Sequence, residues 1–319
     1  PDLAAMRAAV RRFVEGELTP WVDELEQTGT FPPALIALLA RQGFLGMRVA
    51  EEFGGAAMSL AQYCLVHEEL SRCSPILTVL TASTSGLAPS AIQRHGTLAQ
   101  REKYLPPLPR GEARTAFALT EPEAGSDSAA IKTRAVQTAG GWIVNGTKHF
   151  ISGGEVADVV MLLASTDPAL RGRGGITAFL VDRHTPGFTV TRVDRTMGTP
   201  AWTLAELTFK DCFLADATVL GEVGRGFSYA MESLDEGRLS VASTCLGAAG
   251  RLLDLAVEHA KTRRTFGAPL ADRQAIQWML ADSATELAAA RSLLYATLRA
   301  HEAGASLGSA ASMCKLYCS

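Results

Sequence analysis

From Leu3 to Tyr104 apolar residues recur at helical spacing. Met6, Val10, Phe13 and Val14 fall on one stripe, the pattern of an amphipathic helix with a buried face. Thr19-Pro20 reads as a cap followed by proline at the first helical position. A further helix is expected from about Pro33 to Gln42, stopped at Gly43. Ser59-x-x-Gln62 and Thr97-x-x-Gln100 have the spacing of capping boxes, so two more helices are expected to begin there.

The period changes after Pro106-Pro107-Leu108-Pro109. β-prone runs then alternate with turn clusters: Arg114–Leu119, Thr133–Gln137, Trp142–Val144, Val159–Leu163, Ile176–Val181, Phe188–Val193 and Ala205–Phe209. Gly140-Gly141 reads as a hairpin loop and Asn145-Gly146 as another turn. Short strands at this spacing predict a compact antiparallel barrel or sandwich. Helical stripes return near Gly226, first Leu252, Leu255, Ala256 and His259, then Ile276, Met279, Leu280 and Leu287. The order helices, strands, helices gives an α+β fold with segregated blocks. The expected domains are N-terminal helical over 1–112, central β over 113–222 and C-terminal helical over 223–319. Ser309 to Ser319 keep a helical pattern without a stop signal, so the C-terminal domain is expected to be incomplete here.

Composition narrows the function. With 319 residues and 47% hydrophobic content the chain can bury more than one core. A net charge of -3 advertises neither nucleic acid nor an anionic membrane. No stretch reads as a bilayer span or a secretory leader. The expectation is a soluble cytoplasmic protein, or one of the mitochondrial matrix if eukaryotic. The six cysteines contain no C-x-x-C pair and fit reduced, packed thiols. Cys314 and Cys318 share a helix face and would permit a metal, but no histidine lies nearby in sequence, so no metal site is assigned.

Dinucleotide, P-loop, zinc-protease and serine-hydrolase signatures are absent. Gly221-Glu222-Val223-Gly224-Arg225-Gly226 lacks nucleotide-loop spacing and reads as a joining loop. The informative run is Phe117-Ala118-Leu119-Thr120-Glu121-Pro122-Glu123-Ala124-Gly125-Ser126-Asp127-Ser128. A strand ends at Leu119, and the loop after it offers hydroxyls, glycine and backbone amides, which can approach a ring edge or a pyrophosphate closely. On composition alone an ordinary surface turn explains it better.

That run, with Ile131-Lys132-Thr133 and Asn145-Gly146-Thr147-Lys148-His149-Phe150-Ile151-Ser152, resembles the acyl-CoA dehydrogenase signature. Thr185-Pro186-Gly187, Leu234-Asp235-Glu236-Gly237-Arg238 and Arg263-Arg264-Thr265-Phe266-Gly267 with Gln274-Ala275-Ile276 extend the resemblance, in order, over nearly the whole chain. It implies FAD as cofactor, lined by Phe117, Leu119, Thr120, Gly125, Ser126, Phe150, Ile151 and Ser152. Thr120 would meet the isoalloxazine edge, Phe150 would cover the face away from substrate, and Ser152 would put its hydroxyl near N5. Phe150 stands where many members carry tryptophan, and Ser152 replaces a common threonine. Arg263, Phe266 and Gln274 match residues that reach the FAD of a neighbouring subunit, so a homodimer or homotetramer is implied. Ser126, Asp235 and Arg238 match acyl-CoA contacts.

The reaction implied is removal of an α-proton by a carboxylate as hydride leaves the β-carbon for the flavin, with electrons passed on to electron-transferring flavoprotein. The family's glutamate base lies either far along the C-terminal domain or at the position of Gly237. Gly237 has no side chain, so the base is expected beyond Ser319. Glu236 is turned about 200° from Arg238 on a helix and is expected to be a solvated charge. The run Leu234–Gly247 resembles short-chain and branched short-chain members, isobutyryl-CoA dehydrogenase among them. An acyl-CoA oxidase, a flavin monooxygenase or a non-catalytic acyl-CoA- or FAD-binding protein of the same fold are the alternatives.

Overall fold

The computed structural model describes residues 2–319. Seven helices open the chain: α1 (Leu3–Phe13), α2 (Val22–Thr28), α3 (Pro33–Arg41), α4 (Leu60–Cys73), α5 (Ile76–Ser85), α6 (Leu87–His95) and α7 (Leu98–Tyr104). Both capping boxes form, Ser59 with Gln62 and Thr97 with Gln100. Thr19 caps nothing. The chain instead stays helical through a π-type stretch, Val14–Leu18, and the Thr19 hydroxyl donates back to the Val14 carbonyl. Seven strands follow: β1 (Thr115–Ala118), β2 (Arg134–Thr138), β3 (Gly141–Ser152), β4 (Val159–Ser165), β5 (Ile176–Asp182), β6 (Phe188–Arg195) and β7 (Thr203–Ala215). The long α8 (Gly226–Thr262), a small hairpin β8 (Arg264–Thr265) and β9 (Ala268–Pro269), α9 (Gln274–Glu302) and α10 (Gly308–Cys318) complete the order.

The chain forms two compact units. One gathers residues up to Val22, Ser59–Thr78 and Asp235–Ser319; the other holds Asp23–Met58 and Val79–Leu234.

In the second unit the strands make one sheet in the order β1-β4-β2-β3-β7-β6, with β5 on β4. It is a curled half-barrel, and two pairings, β1 with β4 and β2 with β4, are parallel. The expected antiparallel barrel or sandwich holds only in part: the sheet curls without closing, and β4 has parallel neighbours. Alternation along β4 explains the curl's two faces. Val159, Met161 and Leu163 enter a core with Ala88, Ile92 and Leu105 of the helical segments, while Val160, Leu162 and Ala164 enter a core with Trp142, Phe179 and Leu207. A strand buried on both faces reads as the continuous apolar run seen there.

Asn145-Gly146 is not a turn. It lies inside the twelve-residue β3, where the pairing with β7 slips between Val144 and Gly146. A Cβ on Gly146 would stand 2.5 Å from the Thr133 hydroxyl oxygen and 2.6 Å from its Cα, at φ +152°. Glycine is there for close approach of two chains. The Gly140-Gly141 reading holds, since β2 and β3 pair from Thr138 opposite Gly141.

In the first unit the buried face of α4 is strongly polar. Glu68 accepts from Arg7 and Arg291 and from the Tyr295 hydroxyl, each at 2.8 Å, and Glu69 accepts from Arg7 at 2.5 Å and Arg11 at 2.9 Å. Burial works to raise the Glu68 carboxyl, but the hydrogen bond and charge of Arg7, with Arg291, hold it below the usual range. Ser71 donates to the Thr244 carbonyl of α8, and Ser240 of α8 meets His67 Nδ1 at 2.9 Å. By length and composition α8 passes for a membrane-spanning helix, which the sequence reading did not allow. These polar contacts assign that face of α8 to packing against α4. Cys314 is buried, with its thiol 3.2 Å from the Thr297 hydroxyl.

Gly146→Ala is expected to lower stability by about 1–3 kcal/mol through overpacking. Gly16, whose Cβ would meet nothing within 4 Å, should accept alanine without loss. Chemical denaturation of the two variants checks this. Equal midpoints would show that β3 and Thr133 part easily.

Candidate active site

The loop after β1 is fixed by one buried ion pair. Lys148 of β3 is fully buried, and its ammonium donates to the Leu119 carbonyl at 2.9 Å and to Glu121 Oε1 at 2.8 Å. The Glu121 carboxylate also accepts the backbone amides of Lys132, at 2.6 Å, and Thr133, at 2.9 Å. Next along β3, the His149 amide donates to the Thr120 carbonyl at 2.9 Å. Three donor–acceptor contacts thus tie Leu119–Glu121 to the β3 residues before Phe150, and two more tie Glu121 to the chain entering β2.

The charges of this pair pull against burial. Burial favours a neutral Glu121, but the Lys148 charge and the hydrogen bonds from Lys148 and the two amides outweigh it and hold the carboxyl below its ordinary range. Burial lowers the Lys148 ammonium to about 8 against the opposing pull of Glu121. The two partners thus oppose each other's burial: each charge favours the ionised form of the other. Sequence reasoning passes over both residues. The available signal was a charge of opposite sign inside each of two motif runs, and nothing local says that they meet.

Beside this clamp the pairing of β3 with β7 slips again. Lys148 faces Leu207 and Ile151 faces Ala205, so β3 carries one extra residue. That is a β-bulge, and Phe150 takes the left-handed conformation in it, φ +56°. Ile151 turns inward, 2% exposed, while the Phe150 ring stays 55% exposed and stacks on His149. Among the described residues the hydroxyls of Thr120, Ser126 and Ser152 have no hydrogen-bond partner, and the amides of Gly125 and Ser126 donate to no carbonyl. A Cβ on Gly125 would meet nothing within 4 Å. An open aromatic face, unused hydroxyls and free amides suit a planar heterocycle bearing a diphosphate. Phe117 and Leu119 lie on the inner side, packed with the helical core.

The other expected residues belong to the other unit. Asp235 and Arg238 meet in an i, i+3 ion pair on α8, both half-buried. Glu236 is 8% exposed, so it is not the solvated charge expected. It lies on the buried stripe of α8 with Ser233, Leu239 and Ser243. Arg263, Phe266 and Gln274 are exposed around the β8–β9 hairpin, with Phe266 fully exposed at φ +51°. A large apolar ring held outward at such a backbone angle is costly unless it is used.

Models of the acyl-CoA dehydrogenase N-terminal, middle and C-terminal domains match residues 1–112, 116–212 and 224–319. The chain belongs to the acyl-CoA dehydrogenase family. It is 39% identical to an acyl-CoA dehydrogenase of Bacillus subtilis, over 98% of this chain and 83% of that protein. It is equally 39% identical to an acryloyl-CoA reductase (NADH) of Anaerotignum propionicum, over 98% of this chain and 80% of that one. Among solved structures, a glutaryl-CoA dehydrogenase from Mycobacterium smegmatis in complex with FADH2 superposes with a TM-score of 0.92 at 31% identity, covering 100% of this chain and 80% of that one. As a member of that family the chain is an FAD-dependent oxidoreductase that acts on CH–CH bonds.

Replacing Lys148 by methionine leaves Glu121 buried and unpaired, and is expected to cost about 3–5 kcal/mol. Methionine at both positions should cost less than the two single changes added. Glu121 binds its proton less readily folded than unfolded, so as pH falls the unfolded chain takes up protons first and stability drops. The gap between wild type and Glu121→Gln should therefore be full at neutral pH and close as pH falls below the usual carboxylate range. Denaturant titrations at a series of pH values read this. A gap independent of pH down to acid would show that the carboxylate charge is not what is being lost.

Proposed function

We propose that this chain desaturates a short or branched short acyl-CoA between its α and β carbons and hands the electrons to electron-transferring flavoprotein, working as a dimer or tetramer. The observation that carries the reading is the clamp at Lys148 and Glu121, which sets unused hydroxyls and amides of the Leu119–Ser126 loop beside the open ring of Phe150. Phe117, Thr120, Gly125, Ser126, Phe150 and Ser152 hold FAD from one copy, with Leu119 and Ile151, whose side chains are buried, contributing backbone only, and Arg263, Phe266 and Gln274 reach the FAD of a second copy. Arginine suits that task because a diphosphate is met by fixed, charge-assisted donors. When bound, FAD supplies the acceptor for the hydride.

The remaining work falls to the chain's own groups. Arg238 spends part of its donor fork on Asp235 and keeps the rest for the thioester's CoA portion, oriented by that ion pair. Ser126 stands at the loop end where the hydroxyl and amide are free, and there it touches both ligands. In a chain extended past Ser319, the FAD-loaded protein is expected to be yellow and to bleach when butyryl- or isobutyryl-CoA is added without oxygen. Electron-transferring flavoprotein should restore the colour faster than oxygen does. Faster recovery with oxygen would make it an oxidase, and a protein that stays colourless in excess FAD would end the flavoenzyme reading.

A second reading concerns the base. In the first, the proton acceptor is a glutamate outside residues 1–319, because Gly237 has no side chain and helix geometry turns Glu236 about 200° from Arg238. The burial of Glu236 favours the other, since a carboxylate on the buried stripe of α8 is shielded from bulk water. Glu236→Gln decides between them. Retention of most of the bleaching rate supports the first reading, whereas lost flavin reduction with acyl-CoA still bound assigns the proton to Glu236.

A further inference from the structure

We propose that His149 is a positioning residue for the aromatic face of the cofactor site, its imidazole forming a second ring layer that holds Phe150 against the FAD. The proposal rests on the assignment of Phe150 to the flavin face made above, and it concerns what keeps that ring in place.

Neighbouring residues of a regular strand point to opposite faces, so two adjacent rings should not meet. Here they do, because the extra residue of the β3 bulge and the left-handed φ of Phe150 turn both side chains the same way. The ring centroids are 3.9 Å apart and the planes 11° from parallel. With 55% of Phe150 exposed, little else restrains its ring, and the stacking contact is with His149. A non-glycine residue in this conformation costs free energy unless its surroundings over-determine it.

His149 is itself fixed. Its Nε2 meets the guanidinium of Arg192, and Asp194 Oδ2 lies 3.6 Å away. Arg192 is held in turn by Asp194 at 2.9 Å and faces Glu206 at 3.7 Å. A guanidinium can only donate, so in the contact with Arg192 the Nε2 atom is the acceptor. The amide of the same residue is held by Thr120. One residue therefore connects the hydroxyl-bearing loop, the charged edge of β6 and the exposed ring. The restraint is rotational: the Arg192 contact fixes the plane of the imidazole, and stacking passes that plane to Phe150.

The test compares His149→Ala and His149→Leu, which remove the ring, with His149→Phe, which keeps a ring but has no Nε2, and with Phe150→Ala. The readouts are the FAD dissociation constant, the visible-region circular dichroism of bound flavin, and the melting of the FAD-free protein. Removing the ring should weaken FAD by about three- to tenfold, the range a stacked aromatic pair is worth, and alter the visible dichroism, with FAD-free melting unchanged. His149→Phe, which stacks but cannot meet Arg192, should recover the affinity and leave the dichroism altered. Two results overturn the proposal while leaving the site in place: wild-type flavin readouts in His149→Ala and His149→Leu when Phe150→Ala loses them, or no recovery of affinity in His149→Phe. If Phe150→Ala itself leaves affinity and dichroism unchanged, the flavin-face assignment fails and the proposal falls with it.

Discussion

The ammonium of Lys148, fully buried among the acceptors of another segment, is the contact on which the site depends. A lysine taken out of water is tolerated only with hydrogen-bond acceptors and a counter-charge close by. Leu119 and Glu121 satisfy it only if the loop after β1 lies against β3. The electrostatic demand of one side chain thus sets the place of a loop that otherwise has little to hold it: Pro122, Glu123, Gly125 and Ser126 are exposed. Glu121 is equally constrained, since its carboxylate also satisfies the amides of Lys132 and Thr133 at the entry to β2. One pair closes a ring of segments that are distant in sequence.

The helical unit uses the same device on a larger scale. Glu68 and Glu69 of α4 are buried against Arg7, Arg11, Arg291 and Tyr295, which come from α1 and α9. Such networks add less net stability than apolar packing of equal size, but they are strongly directional. An apolar face could slide along α4. A carboxylate shared by two guanidinium groups and a phenol has one register.

Two of the six non-glycine residues of positive φ among the described residues fall where chemistry is assigned. Phe150 and Phe266, two of the residues given to the cofactor, are non-glycine positions of positive φ with exposed rings. In each case a side chain that would gain by burial is held outward by the backbone. The bulge in β3 shows how: an unpaired residue lets Ile151 keep its place in the core while the ring before it stays open.

Much of this was legible along the chain. Capping boxes at Ser59 and Thr97, the β-prone runs between turn clusters and the return of helical stripes after Gly226 are local signals, written within a few residues of where they act. The family motifs likewise named the loop, Phe150–Ser152 and the Asp235–Arg238 pair. Tertiary structure alone decided the rest. Whether the sheet closes depends on strand pairing between distant segments, and β4 took parallel neighbours that alternation cannot announce. Asn145-Gly146 has the composition of a turn, but what made glycine necessary was Thr133 passing within contact distance. Glu236 looked solvated because helix angle fixes only its direction relative to Arg238, while burial depends on what lies on that side. Lys148 and Glu121 are separated by 27 positions, and a charge in a strand carries no mark of the partner it will meet. Local free energy selects the elements, and the buried charges and close approaches that place them exist only once the chain has folded.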